Sequence, residues 1–434
     1  MAKINKFIAA YSDAISEAGI DLNCDIPPKK VIHRFVRIFK NIDDERCSGM
    51  VEYPLVEIIL IVFLAVLGNA STWIEIEQFG RAKKKWLKKF IRLENGVPSH
   101  DTFRRVFSLI DSQQLQRATV DFLVENIAAI KKSLPKSEIE EYRQLCIDGK
   151  EERGSGRKYN TSEEIKNLQT LHIFDASNEI CIRSEAISEK TNEIPVAQKL
   201  LENMQLKGCI VTFDALHMQK NTVSVIKKSK GHYIGGLKGN QAGLLEEAAA
   251  YFDEETLNDI RNKGSDFTES LDKAHGKIER RYYYLVRPPK RDIVAKWDGL
   301  KAFVCCIKKS QNVKTSEITT DTHYYASSID DIELCSQAIR GHWSVENNLH
   351  WHLDYSLGED ENTTIDKTAF NNLSLINKMV LSLCKLTRPL MKKGTSIRSM
   401  RKMYGWNIEK YLSALLTCFD TDSIVNAMMS SASK

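Results

Sequence analysis

Asp148, Asp214 and Glu346 are the residues whose types and settings point most directly to chemistry. Asp148 follows a short apolar run, Gln144 to Ile147, and is followed by Gly149 and Lys150. Asp214 follows a second run, Cys209 to Phe213, and precedes Ala215. A single aspartate at the end of a strand commonly caps the next turn. Two of them at neighbouring strand ends can instead share a divalent cation, and Mg2+ prefers such oxygen ligands. Glu346 would supply a third carboxylate from far along the chain.

Glu346 lies in Arg340 to Asp354, RGHWSVENNLHWHLD, which reads as one helix. Trp343, Asn347 and Trp351 recur at i, i+4 and i+8, and His342, Glu346 and His350 form the neighbouring stripe. A carboxylate buried among these rings must be paired or neutralised. Two readings follow. Either Glu346 holds a metal ion with acids from elsewhere, or the helix packs its Trp and His faces into a core and turns its Glu to water. His342 and His350 are candidates for phosphate contact, proton relay or support of Glu346, and equally for packing. Trp343 and Trp351 read as core residues rather than stacking platforms. His342, Glu346 and His350 also have the spacing to reach one zinc ion. The H-E-x-x-H order is missing, however, and zinc there leaves both aspartates unexplained.

The elements around these residues alternate from about Tyr142 onward. LQTLHIFDA and EICIRSEAI read as strands, NEIPVAQKLLENM as a helix, KGCIVTFDA as a buried strand, and HYIGGLK as another. Such alternation implies a sheet with parallel members, whose ligands bind outside the carboxyl ends of the strands. Residues 51 to about 130 read as all-helical, with the apolar run Ile58 to Leu67 started by Pro54 and stopped near Gly68. That run is too short for a membrane span, which needs about 20 residues. A cationic face follows, including Lys84, Lys88, Arg104 and Arg105, and Ser99 is the expected N-cap of a short helix over HDTFRRVF. Such helices can enter a DNA groove, and a solvated basic surface is the plainer reading. Residues 1 to 50 read as a weakly packed helical lead. The last part of the chain reads as helical too: NNLSLINKMVLSLCKLT as strongly amphipathic, then a basic cluster with Lys385, Lys392, Lys393 and Arg401, and a frayed tail.

With a net charge of only +5, nucleic-acid affinity has to come from such local patches. The ten cysteines contain no C-x2-C pair, which argues against a zinc ribbon or redox motif and favours a reducing compartment. The N-terminus shows no signal-peptide pattern.

The trio IDGK, TFDA and HWSVENNLHWHLD resembles the DDE transposases of bacterial insertion sequences, and more closely their H-repeat-associated branch linked to Rhs elements. The resemblance runs from about Asp43 to Leu386 and includes YPLVEIILIVFLAVLGNA, NGVPSHDTFRRVF, SEKTNEIPVAQKLL, LKGNQ, HGKIERR and GEDENTT. It implies an α/β fold with an RNase H-like core, a β-rich insertion before the glutamate helix, and helical N- and C-terminal regions. The implied activity is DNA cleavage at element ends and strand transfer with Mg2+ or Mn2+. By match to the motif, Asp148, Asp214 and Glu346 become the catalytic, metal-holding acids. The gaps are consistent: 66 positions (214 − 148) and then 132 (346 − 214), the second leaving room for the insertion. The expected division is a lead over 1–50, a DNA-binding helical domain over 51–135, a catalytic domain over 140–362 with its insertion near 253–328, and a basic helical region over 363–434.

The implied partner is double-stranded DNA, as transposon ends and target, bound by a homo-oligomer in the bacterial cytoplasm and nucleoid. Relatives in the broader group carry Tyr, Arg and Lys around the glutamate, where this chain has Ile339, His342 and Leu353. Those roles are therefore not carried over. Lys150, Arg340, His342, Asn347 and His350 are expected near DNA instead, with Lys84, Lys88, Arg104, Arg105, Lys392 and Lys393 further out. A catalytically inactive, DNA-binding descendant of a transposase is the alternative.

Overall fold

Cys209–Phe213 is apolar at nearly every position, as a strand buried on both faces must be. In the computed structural model it lies inside a large mixed sheet. The structure describes residues 3–7, 10–13, 29–133, 141–158, 164–188, 191–274, 276–290 and 292–408. The main strands are β1 (Glu141–Glu152), β2 (Leu168–Asp175), β3 (Ile180–Ile187), β4 (Cys209–Phe213), β5 (His232–Leu237), β6 (Phe267–Ala274), β7 (Lys277–Val286), β8 (Ala302–Asn312) and β9 (Ile318–Ser327). Their spatial order is β3-β2-β1-β4-β5-β9-β8-β7-β6. Among these nine strands, as described, β1 with β4 and β4 with β5 are the parallel pairs. A short strand, Lys3–Ile4, pairs parallel to the start of β1.

The β-rich insertion expected near 253–328 holds four strands, β6 to β9. They do not stand apart: β9 pairs with β5 through Tyr324–Ser327 and continues the same sheet.

Helices cover both faces. Glu193–Glu202 and Lys220–Lys228 make the crossovers into β4 and β5, so these strands can lie parallel. On the other face, Ile332–His342 packs over β4, β7 and β6, its Ala338 and Ile339 meeting Ile210, Ile234 and Tyr283.

Of the lead, the helix Lys29–Phe39 is described, and it is not weakly packed. Ile32, Phe35 and Phe39 are buried, and Phe35 stacks on Phe39 and Phe63 at 4.0 and 5.1 Å. Phe63 belongs to Leu55–Leu67, whose caps are Pro54 and Gly68 as expected. Ser99 also caps as expected, its side chain accepting from the Thr102 N–H. Among the described residues no helix is long and apolar enough to cross a membrane.

Lys367–Thr387 differs from its expected amphipathic surface role. Every residue from Ala369 to Thr387 is buried, because the helix runs between the N-terminal helices and β3. Its polar stripe faces protein groups that need partners. Asn372 donates to Phe107 O and Ile110 O at 2.8 Å each, Asn377 to Glu359 at 3.0 Å, and Lys385 pairs with Glu179 at 2.9 Å. The frayed tail lies outside the described residues.

Arg401, read from the sequence as surface charge, is 1% exposed on the helix Ile397–Trp406. Its guanidinium donates to Val66 O at 2.8 and 3.1 Å, Ala70 O at 3.0 Å and Ser356 O at 2.6 Å. These carbonyls lie at or near helix ends, where backbone acceptors lack partners. Replacing Arg401 with Met should strand them and lower stability by about 3 kcal/mol. The check is a lower urea midpoint than that of Lys402→Met, which alters an exposed neighbour.

Candidate active site

The register of β1 on β4 brings two of the acids together. Parallel pairing ends with Ile147 opposite Phe213. The next residues, Asp148 and Asp214, therefore stand side by side at about the 4.8 Å strand spacing and project to the same face. Asp148 is not at the end of its strand, as its sequence suggests. β1 continues to Glu152 because β2 keeps pairing with it, and Asp148 lies opposite His172. Only the β4 side opens at this point. Asp214 does cap its turn, accepting from the N–H groups of Leu216 and His217 at 3.0 and 3.4 Å. This fixes the carboxylate without saturating it, since a carboxylate has about four acceptor sites.

Glu346 is brought over this pair by the helix Ile332–His342. Gln144, on the Asp148 face of β1, donates to Ala338 O at 2.7 Å and to Thr212 Oγ1 at 3.2 Å. Gly341 permits that closeness, for a Cβ there would overlap Gln144 Oε1. His342 Nδ1 then meets Thr212 Oγ1 at 3.1 Å. The helix turns at Trp343, and Glu346–His350 forms a π-helical turn before Trp351–Tyr355. The expected single regular helix is thus broken, and its two stripes do not run straight. π turns of this kind recur at functional sites.

Asp148, Asp214 and Glu346 all line one cavity of about 900 Å³. Burial, with the Glu346 and Asp214 charges adding to it, pushes the Asp148 carboxyl up to about 7. Among the described residues no three His, Cys, Asp or Glu groups are drawn together closely enough to hold a metal ion as they stand, and this is as true of Asp148, Asp214 and Glu346 as of His342, Glu346 and His350. The crowded carboxylates nonetheless fit a divalent cation by donor type, by charge and by shared access to the cavity.

The floor of the cavity continues across the sheet. Gly236 follows Asp214 on the same face, and Tyr325 lies opposite Gly236. Beyond them Lys308, Arg281 and Lys277 from the inserted strands line the same space.

The residues expected near DNA fall into two groups. Arg340 and Asn347 are exposed on the cavity wall, and Arg340 donates to Asp272 at 3.1 Å. Lys84, Lys88, Arg104, Arg105, Lys392 and Lys393 are exposed elsewhere. Lys150, in contrast, is buried, with Nζ 2.9 Å from Asp354 and 3.7 Å from Glu359 and hydrogen-bonded to Glu152. Burial opposes its charge, but Glu359, Glu152 and Asp354 outweigh that and raise its pKa. Burial pulls His342 down to about 4 and His350 down to about 3, so both rings are neutral at neutral pH. Neither offers a charge to phosphate. Trp343 and Trp351 correct the core reading in the opposite direction: they are 50% and 51% exposed, on the cavity wall.

Sequence reasoning gave no role to Glu193 or His172. Glu193 packs over Gly149, where a Cβ would overlap its carboxylate, and its charge adds to the upward push on Asp148. Its available signal was the NEIP run, read only as a helix start. A histidine inside the apolar strand LQTLHIFDA was the corresponding signal for His172.

The chain is similar to known proteins over most of its length. The family model described as Transposase DDE domain matches residues 139–383, and the model described as DDE_Tnp_1-associated matches 36–123. "Putative transposase YncI" of Escherichia coli O157:H7 is 30% identical over 89% of this chain and 96% of its own length. "H repeat-associated putative transposase YhhI" of Escherichia coli (strain K12) is 30% identical over 83% of this chain and 92% of its own. The solved piggyBac transposase synaptic complex with hairpin DNA aligns over 99% of this chain and 82% of that one at 12% identity. Its TM-score of 0.38 is too low to inform the fold.

The like charges give a direct test. Asp148→Asn should raise the metal-free melting temperature by about 2–4 °C, as relief of about 1 kcal/mol does in a large domain. Added Mg2+ should raise the melting temperature of the unmodified protein more than that of the variant.

Proposed function

Because the chain belongs to the DDE-type transposases of the H-repeat-associated branch, we propose that it cleaves double-stranded DNA at the ends of an insertion sequence and joins those ends to target DNA. The observation that carries this reading is the meeting of Asp148, Asp214 and Glu346 in one cavity from three distant parts of the chain. The accompanying fold reading is an RNase H-like core with a β-rich insertion. It is supported by an acidic pair at the open side of two parallel strands and by β6–β9 entering before the glutamate helix.

In this reading the three carboxylates hold Mg2+ or Mn2+. Held there, such an ion would supply positive charge to acidify water and to offset the charge that develops at phosphorus. The chain's residues provide the setting. The Leu216 and His217 amides fix the Asp214 carboxylate. Arg340, steered by Asp272, and the exposed Lys238 offer charge-assisted hydrogen bonds to phosphates beside the scissile one. Hydrolysis frees a 3′-OH, which then attacks a target phosphate, so no side chain acts as nucleophile. Two ends must be handled together, which suits a homo-oligomer assembled on DNA.

Asp148→Ala, Asp214→Ala and Glu346→Ala should each abolish Mg2+-dependent nicking of DNA carrying the element's own ends, with DNA binding retained. Chelation by EDTA should do the same to the unmodified protein. Full cleavage by the Glu346 variant would sink the assignment. Binding without nicking by the unmodified protein would make it a DNA-binding descendant instead.

The exposed cations around the core should position the duplex. Removing Lys84, Lys88, Arg104 and Arg105 together should weaken binding to any sequence. The slope of log affinity against log salt should then fall by about 0.9 for each phosphate no longer neutralised. An unchanged slope in a filter-binding titration would place the duplex elsewhere.

A further inference from the structure

His172 and His350 form a pair beneath Asp148 that the proposed mechanism does not use. His172 lies opposite Asp148 in the β1–β2 register, on the same face, and is fully buried. Its Nδ1 is 2.9 Å from Nε2 of His350. The other nitrogen of His350, Nδ1, faces Asp148 Oδ2 at 3.6 Å, just beyond hydrogen-bonding distance. The other nitrogen of His172, Nε2, is buried and has no hydrogen-bond partner among the described residues.

These four atoms decide where the protons are. One N–H must lie between the two rings for the 2.9 Å contact to be a hydrogen bond. Suppose His350 Nε2 carries it. The neutral His172 then has its proton on Nε2, a buried donor with no acceptor, which costs about 1–3 kcal/mol. His350 Nδ1 would also turn a lone pair toward a carboxylate. An imidazolium at either ring again puts a proton on the isolated Nε2. The Nε2 of His172 is without a partner among the described residues in every arrangement, so what separates them is the group His350 turns to Asp148 and the charge on the rings. In the remaining arrangement His172 donates from Nδ1 to His350 Nε2, and the one proton left on His350 sits on Nδ1, facing Asp148.

We propose that His172 and His350 are positioning residues for the acid cluster: the hydrogen bond from His172 fixes the His350 tautomer, and the His350 Nδ1–H aimed at Asp148 biases its carboxylate toward the cavity. The inference deepens the proposed function and rests on it for the role of Asp148. A second-row chain of this type holds a ligand carboxylate in place without adding to its charge. It also accounts for both nitrogens of His350 facing protein groups, Nε2 bonded to His172 and Nδ1 turned to Asp148.

The test has two independent readouts. In the full-length, metal-free protein with 15N-labelled histidine, ring signals of the two residues are assigned by their loss in His172→Asn and His350→Asn. Both rings should show a protonated Nδ1 and a bare Nε2 at neutral pH. A protonated Nε2 on His350 overturns the proposal, because a lone pair would then face the carboxylates. In the nicking assay, His172→Leu should lower the rate about 10-fold or more with DNA affinity unchanged. His172→Asn, whose amide places a donor near the Nδ1 position, should recover most of the loss. Equal loss in both variants, or none in the Leu variant, overturns the positioning role. If the Leu variant does not fold, the tautomer measurement and the Asn variant decide. If the unmodified protein does not nick DNA at all, the proposed function fails while the tautomer readout still tests the chain.

Discussion

The pairing of Ile147 with Phe213 is the constraint on which the site depends. Once that register is set, Asp148 and Asp214 are neighbours on one face of a sheet and cannot avoid each other. Backbone hydrogen bonds hold them there, and the cost of like charge in partial burial falls on Asp148. The surroundings show how the fold tolerates this. A cation lies only two residues away on the same face, yet Lys150 is claimed by Glu152, Asp354 and Glu359. Its charge is balanced locally and does not quench the acids. The rings next to Asp148 are neutral. Asp148 is therefore left without a balancing cation among the described residues, facing the cavity and pushed up to about 7.

A second constraint is height. Glu346 sits above the pair because its helix lies almost on β1 and β4, and Gln144 and Thr212 hold it by polar contacts that a purely apolar strand could not offer. On the far side of the same strands, Gly149 accommodates the Glu193 carboxylate. The two glycines, Gly149 and Gly341, thus let a helix or its first residue press against β1 from opposite faces. The buried Lys367–Thr387 helix fixes the frame around this centre by joining the N-terminal helices to β3, with amide and ammonium groups capping carbonyls that would otherwise be stranded.

Much of this was legible. The strand Cys209–Phe213 could be read to the residue, because a strand buried on both faces has a continuous apolar run bounded by polar residues. The apolar helix from Leu55 was equally plain from its proline and glycine ends. The three acids could be selected because each follows a recognisable local pattern. What could not be read was which polar stripes meet partners inside the protein. Asn372, Lys385 and Arg401 look like surface groups until the carbonyls they serve are placed, and those lie far away in sequence. Trp343 and Trp351 failed in the reverse direction, since ring size suggests burial but the cavity wall exposes them. The π turn was invisible for a related reason: a four-residue spacing reads as α-helix whether or not one extra residue is accommodated.

That extra residue gives this region an unusual vulnerability. A π turn closes i to i+5, so deleting one residue between Glu346 and His350 would let the segment relax into ordinary α-helix. The turn absorbs that residue within about one rotation, so the segments on either side would keep nearly their present orientation. The change would fall inside the turn, on the angle between Glu346 and His350, which bracket it. Length, as much as residue type, therefore sets how these two side chains stand to each other, and a single-residue deletion would probe it in a way that no substitution scan samples.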